Sequence, residues 1–477
     1  MAIARAPRRL IVVLALVGWT SRATGAPPAA ERDVFAFVRA LEDAGARQVW
    51  PGFHPAELPI ALFDGQQTLL LRHPGPPSGF APLPGRPGVF VMPGRHPAVV
   101  GNSTTEIGGV RTATVVATPA HDLDGSILAC IEEAFHVFWL RRHTNFRPNE
   151  MARYAYPIKD LRNLQRLLAE DEALARALEA EELPRAAGWA EAAIRIRRER
   201  HIRLFEDDRA FEIGLEMMEG TANYAARVAV GQRREATAAR LRSERPVDQI
   251  RWRFYDSGTA ICLLLDRFQP EWKVRLDQEL GRTTADLLEA VMARRQVRPA
   301  AFSAVEILRF EERAARDIAS LSARQQAVRE DLLGRSGTRI VVEVAAEGGP
   351  LHVTRFDPIN LLVLDGGEVV HPNYVTLTGP NGTIDLTNPA FARGSFAGTV
   401  ALTRAAGRHP LHAGIRMVTV AGLKGAPRVD RRDGRLTLEA EGVRITLEDA
   451  DLRAEGETLR ISLPARADRS GVSGPTG

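Results

Sequence analysis

A segment at residues 127–139, with the periodicity of a helix, holds the residues best suited to chemistry. Glu132 and His136 are four positions apart, so on a helix they project from one face, one turn from each other. Glu133 points about 100° away from Glu132. Carboxylate oxygens and an imidazole nitrogen are ligands for zinc or manganese, and a further carboxylate beside them can move a proton. The segment therefore predicts a cation site with an adjacent base.

A second segment, E-M-M-E-G-T-A-N-Y at residues 216–224, lies on a later predicted helix and carries two further carboxylates, Glu216 and Glu219. Two helices that run past one another can bring such a carboxylate to the pair formed by Glu132 and His136. Gly220 has no side chain, so it permits a close approach between the helices.

Together the two segments resemble the gluzincin metallopeptidases. E-E-A-F-H at residues 132–136 is similar to the motif H-E-x-x-H with Glu132 in place of the first histidine, and the second segment is similar to the glutamate helix E-G-x-A-x-Y. The resemblance extends over roughly residues 55–280. It implies that Glu132, His136 and Glu219 bind the metal and that Glu133 is the general base in hydrolysis of a peptide or protein substrate.

The carboxylate at position 132 leaves two functional alternatives open. It adds a negative charge where the family has a neutral imidazole, which keeps the site compatible with zinc but shifts its preference toward harder ions such as manganese. In the first alternative the protein is a metal-dependent peptidase, and Tyr224 donates to the substrate oxyanion. In the second it is a catalytically inactive relative without metal that acts as a secreted binding protein, and Tyr224 only packs. Chance similarity of two short motifs is a third interpretation.

The elements that must position these residues form an α+β protein. The pattern predicts a helix at 31–50, strands at 60–63, 68–71 and 89–92, a hairpin centred on 106–110, and helices from 126 to about 334. From residue 336 short strands with period two and turn signals predict an all-β, sandwich-like domain. The expected organisation is a peptidase-like domain at 27–335, with a mixed α/β part at 27–125 and a helical part at 126–335, then the β domain at 336–465 and a disordered tail at 466–477.

The N-terminal segment predicts export. Residues 1–26 combine an arginine-containing start, an apolar run of about ten residues and a small-residue stretch, which is the pattern of a cleaved signal peptide. The expected location is the periplasm or the extracellular space, with no membrane span after cleavage. Cys130 and Cys262 lie in apolar helical runs, where buried free thiols are favoured over a disulfide.

Charge does not point to nucleic acid. The chain carries 63 Lys and Arg against 59 Asp and Glu, a net charge of +4, so nothing indicates a polybasic face. The arginine-rich run at residues 195–200 is interpreted as a solvated helix face. No P-loop, dinucleotide fingerprint, G-x-S-x-G elbow or C-x-x-C motif occurs in the sequence.

Overall fold

A computed structural model describes residues 34–117, 123–279, 281–358, 360–389, 396, 398–408 and 414–464. The expected signal peptide at 1–26 and the expected tail at 466–477 lie outside these described residues. The chain divides into two compact units, each with a hydrophobic core. The first comprises the residues up to Asn149, Arg162–Arg245 and Gln249–Phe310, and the second comprises Glu150–Leu161, Pro246–Asp248 and the residues from Glu311 onward. The domain boundaries inferred from the sequence stay predictions.

The first unit begins with helix α1 and a six-stranded sheet. These elements are α1 (Val34–Gly45), β1 (Ile60–Phe63), β2 (Gln67–Leu71), β3 (Ala81–Pro82), β4 (Val89–Pro93), β5 (Ser103–Ile107) and β6 (Val110–Val116). The strand order is β3-β4-β2-β1-β6-β5, and the sheet is mixed because β1 and β6 pair in parallel. The predicted hairpin is confirmed: Gly108 and Gly109, with φ of 55° and 79°, join β5 to β6 in backbone conformations that glycine adopts without strain.

Helices form the rest of the first unit. They are α2 (Leu123–Trp139), α3 (Leu161–Glu179), α4 (Leu183–His201), α5 (Glu206–Leu215), α6 (Thr221–Ala229), α7 (Arg234–Arg242), α8 (Ile250–Phe268), α9 (Trp272–Gln278) and α10 (Thr284–Arg295), and α11 (Ala304–Gly334) begins there. A π-helical turn, Glu216–Gly220, joins α5 to α6. No helix among the described residues has an apolar stretch long enough to cross a lipid bilayer.

A buried ionic cluster lies between α3, α4, α5 and α8, and it corrects the interpretation of the arginine-rich run. Arg197 and Arg200 of that run are 9% and 1% exposed, whereas Arg195 and Arg198 face solvent. Arg200 pairs with Glu170 and Glu212. The run alternates between solvent and interior because carboxylates on neighbouring helices neutralise its inward-facing guanidinium groups, which burial would otherwise disfavour strongly.

The second unit is built mainly from two antiparallel-rich sheets that follow the end of α11. Their strands are β7 (Thr338–Val344), β8 (His352–Phe356), β9 (Leu362–Val363), β10 (Glu368–His371), β11 (Tyr374–Gly379), β12 (Gly382–Thr387), β13 (Val400–Ala405), β14 (Ile415–Leu423), β15 (Arg428–Arg432), β16 (Arg435–Ala440), β17 (Val443–Glu448), β18 (Asp451–Glu455) and β19 (Thr458–Leu463). The orders are β18-β19-β7-β14-β13-β10-β9 and β15-β16-β17-β12-β11-β8. Side chains of both sheets share one core, so the α+β class with a sandwich-like β part is confirmed.

Both cysteines are free thiols. Cys130 on α2 and Cys262 on α8 are fully buried. Burial raises the pKa of the Cys130 thiol to about 12, because the thiolate would lose its hydration there. The prediction of buried free thiols is therefore confirmed, and at neutral pH the Cys130 side chain acts as a small apolar group.

Candidate metal centre

Helix α2 presents three polar residues from within an apolar core. Ile131 and Phe135 on this helix are fully buried, and the Phe135 ring packs edge-on against Trp50 at 5.3 Å between centroids. This packing fixes the rotation of α2. As a result Glu133 and His136 are buried, while Glu132 is half-buried. The polar face of α2 is therefore shielded from water except near Glu132.

The third candidate ligand, Glu219, lies on the π turn between α5 and α6. The backbone is helical on both sides of this turn, so Glu206–Ala229 forms one continuous helix with a π segment. A Cβ on Gly220 would lie only 2.7 Å from the Cα of Gly258 on α8, closer than atoms can approach. Gly220 does permit close helix packing, but its partner is α8 and not the helix of Glu132 and His136 for which the close approach was expected.

The structure brings Glu132, His136 and Glu219 together. One ligand atom from each residue lies within 4.8 Å of the other two. Glu219 Oε2 is 3.1 Å from His136 Nε2, which is an ion pair when the imidazole is protonated, although the contact does not have the geometry of a regular hydrogen bond. His136 Nδ1 is buried without a hydrogen-bond partner. Buried polar atoms are normally paired, so an orphaned atom at this point needs an explanation.

Arg251 holds the other oxygen of the same carboxylate. Its Nη2 donates to Glu219 Oε1 at 3.1 Å. The Arg251 guanidinium also lies over the rings of Trp252 and Tyr255, at 5.6 and 5.3 Å from their centroids. The two oxygens of Glu219 therefore have different neighbours: Oε1 meets an arginine, and Oε2 points to the imidazole of His136.

Four ionisable residues of the site, three on α2 and Glu219 on the π turn, have strongly shifted pKa values. Burial raises the pKa of Glu132 to about 7 and that of Glu133 to about 8. Burial lowers the pKa of His136, but the negative charges of Glu219, Glu133 and Glu132 outweigh it and raise the pKa to about 9. Burial also raises the pKa of Glu219, yet the positive charges of His136 and Arg251 bring it to about 2. Perturbation of this size in one cluster is typical of a functional site.

These residues fit a divalent cation. Zinc bonds of roughly 2.0–2.2 Å place two donors about 3.3–3.6 Å apart in tetrahedral coordination. The 3.1 Å between His136 Nε2 and Glu219 Oε2 is close to that spacing, and the remaining separations stay within 4.8 Å. A cation bound between these two atoms would also give Glu219 Oε2 a partner, whereas His136 Nδ1 lies on the other side of the ring. The donor set of two carboxylates and one imidazole suits zinc or manganese.

A buried arginine lies along the same face of α6. Glu219, Asn223 and Arg227 follow each other at intervals of four residues, so they share one side of the helix. Arg227 Nε donates to Asn223 Oδ1 at 2.5 Å, and its Nη1 donates to Gln232 Oε1. Burial and Arg240 lower the pKa of Arg227 to about 10, against the attraction of Asp256 and Glu132. Among the described residues Arg227 forms no ion pair with a carboxylate, so Glu132 is a source of compensating charge.

Tyr224 has the contacts of a packing residue. Its ring is fully buried between Trp50 and Trp272, and its hydroxyl donates to Asp266 Oδ2 at 2.7 Å. Burial and the neighbouring Asp266 carboxylate raise the pKa of this hydroxyl far above its ordinary value. Of the two roles considered for Tyr224, these contacts favour packing.

The structure adds residues that the motifs did not indicate. Arg251 and Arg227 are separated from the ligand positions in sequence, and an arginine-rich chain offers many equivalent candidates. The one available signal was the spacing of Glu219, Asn223 and Arg227, which is that of a single helix face.

In comparisons with protein-family models, curated proteins and solved structures, none matched this chain. The site must therefore be argued from its own geometry.

Proposed function

We propose that this protein is an exported metal-dependent peptidase whose cation is bound by Glu132, His136 and Glu219. The observation that carries the proposal is the convergence of three buried or half-buried ligand residues, with one possible ligand atom from each within 4.8 Å of the other two. The similarity of the two motifs to gluzincins supports a peptide bond as the substrate group. The N-terminal pattern supports export to the periplasm or extracellular space.

Glu133 is the residue that moves the proton. When bound, a cation here would supply Lewis acidity, lowering the pKa of the attacking water and polarising the carbonyl. Glu133 takes a proton as the water oxygen bonds to the carbonyl carbon, and it delivers that proton to the amine nitrogen as the C–N bond breaks. Burial raises its pKa to about 8, so it is mostly protonated at neutral pH, and the positive charge of a bound cation would favour the ionised form that accepts the proton. Arg251 keeps the Glu219 carboxylate oriented toward His136.

Metal content and hydrolysis of the purified protein test this function. Protein prepared without chelator or added metal should contain near-stoichiometric zinc or manganese and cleave a peptide library. His136→Ala should lose the metal because a ligand is removed, whereas Glu133→Gln should keep the metal and lose hydrolysis because only the proton carrier is changed. His352→Ala removes an exposed histidine of the second unit and serves as the matched control.

Two results would contradict the proposal. If wild-type protein takes up neither zinc nor manganese at neutral pH, the three residues do not form a metal site. If Glu133→Gln loses the metal along with activity, Glu133 is a ligand and the assigned division of roles is wrong.

A second candidate, an inactive peptidase relative that binds protein or glycan, is favoured by one specific observation. His136 and Arg251 both pair with Glu219, and together these cations can balance its charge without a metal. This candidate predicts a metal-free protein whose His136→Ala variant keeps its binding partners unchanged. Elemental analysis of the wild type separates the two candidates. If the protein contains no metal, pull-down from secreted material should identify the protein or glycan that the inactive relative binds.

A further inference from the structure

The π turn separates two glutamates that a regular helix would keep together. In an α-helix, residues three apart differ by about 60° around the axis. Glu216 and Glu219 nevertheless contact different helices: Glu216 pairs with Arg197 on α4, and Glu219 pairs with His136 on α2. A π turn contains one residue more than an α-helical turn. That residue rotates the side chains that follow it by about 100° around the helix axis. Such turns are frequent at functional sites.

The buried carboxylate of Glu216 is held by hydrogen bonds from two neighbouring helices. Arg197 Nη1 donates to Oε2 at 2.8 Å and Nη2 donates to Oε1 at 2.5 Å, which is a bidentate contact. Ser257 Oγ on α8 donates to Oε1 at 2.5 Å. Glu216 is only 2% exposed, so breaking these contacts would leave a buried carboxylate without partners.

The other end of the π turn is held by threonine hydroxyls and by backbone packing. Thr221 Oγ1 donates to Met217 O at 2.6 Å, and Thr259 Oγ1 on α8 donates to Gly220 O at 3.2 Å. A Cβ on Gly258 would lie 2.7 Å from Glu216 O. Carbonyl groups of the turn thus find partners outside the regular helical ladder, which lets the π geometry persist.

We propose that Glu216, anchored by Arg197 and Ser257, is a positioning residue that fixes the π turn and so directs the carboxylate of Glu219 to His136. The inference rests on the proposed function, since it assigns a cause to the placement of a metal ligand. Glu216 touches neither cation nor substrate. Without its anchor the turn returns toward the α-helical register, and Glu219 rotates away from α2.

A matched pair of variants tests the inference. Glu216→Gln keeps the side-chain size and removes the charge that binds Arg197. Glu212→Gln is the control, because Glu212 is equally buried in the same ionic cluster, pairs with Arg200 and His201, and lies one turn earlier, outside the π turn. Both variants should unfold at similarly reduced temperatures. Only Glu216→Gln should lose affinity for Co²⁺, by about 10–100-fold, as do residues that orient metal ligands.

Ser257→Ala is a milder variant because it retains the ion pair between Glu216 and Arg197. It should therefore fold even if Glu216→Gln fails to fold. It should weaken Co²⁺ affinity several-fold and alter the visible absorption of the bound ion, which reports coordination geometry. Equal Co²⁺ affinity in Glu216→Gln and Glu212→Gln, or wild-type affinity in Ser257→Ala, would overturn the inference.

Crystal structures of metal-free wild type and Ser257→Ala decide the positioning claim independently of any metal. The expected difference is a displacement of Glu219 Oε2 from His136 Nε2 in the variant, and an unchanged contact would refute the claim. Should wild-type protein bind no Co²⁺ while the displacement is seen, the proposed function fails and the positioning role stands.

Discussion

Metal binding at this site should release protons, and the number follows from the pKa values of the site residues. At pH 7 His136, with a pKa of about 9, carries nearly one full proton. Glu132, with a pKa of about 7, carries about half a proton, and Glu219 carries almost none. Ligands bind a cation only in their deprotonated forms, so these three should release about 1.5 protons per zinc at pH 7.

Glu133 should add to this release although it is not a ligand. With a pKa of about 8 it is about nine-tenths protonated at pH 7, and a nearby cation favours its ionised form. Total release from the wild type should therefore be about 2.4 protons at pH 7. Because protons leave on binding, zinc affinity should rise about 250-fold per pH unit near pH 7 and level off above about pH 10, where His136 is also deprotonated.

Calorimetric titration with zinc in buffers of different ionisation enthalpy measures the released protons directly. Glu133→Gln should lower the release to about 1.5 protons, because the glutamine cannot ionise. Asp124→Asn changes an exposed carboxylate in the first turn of the same helix and should leave the wild-type value. Release below one proton in the wild type, or an unchanged value in Glu133→Gln, would refute the charge states assigned to the site.

Three further variants test other parts of the structure. Glu132→His alone should gain little zinc affinity because it removes one of the two carboxylates whose charge acts on the buried Arg227 cation, whereas Glu132→His combined with Arg227→Gln should bind zinc more tightly than the wild type, as zinc titration can show. Gly220→Ala should lower stability by about 1–3 kcal/mol, because the added methyl group overpacks against α8. Gly334→Ala is the control, because a Cβ at Gly334 meets no atom within 4 Å, and it should leave stability unchanged. Thermal unfolding of the two variants measures the difference. Burial lowers the pKa of His371 from 6.5 to about 3, so the folded state loses stability as the pH falls below 6.5, by about 2 kcal/mol at pH 5. Urea titrations of His371→Gln should lack this pH-dependent loss of stability.

The sequence was sufficient to indicate the candidate ligands because each stands in a local pattern. Glu132 and His136 are related by one helical turn, and Glu219 stands in a recognisable short motif. The π turn was not predictable, because nothing in the spacing of residues 216–220 departs from that of an α-helix. Its geometry depends on Arg197 and on contacts from α8, which are tertiary interactions.

The remaining differences from the sequence predictions have the same origin. Charged runs look alike whether their side chains meet water or buried carboxylates, so Arg197 and Arg200 were assigned wrongly to solvent. The turn signals at 380–382 and 432–434, by contrast, lie at hairpins, because glycine and asparagine or aspartate specify such turns locally.

The departure from the family motif at position 132 acquires a physical reason in the structure. A histidine there would remove one of the two carboxylates, Asp256 and Glu132, whose negative charge acts on the buried Arg227 guanidinium. Glu132 contributes to the balance of that charge and still offers an oxygen donor. This attraction is a reason for a carboxylate at position 132 whether or not a cation is bound, so metal content, rather than the residue type at position 132, separates an active metal site from a metal-free one.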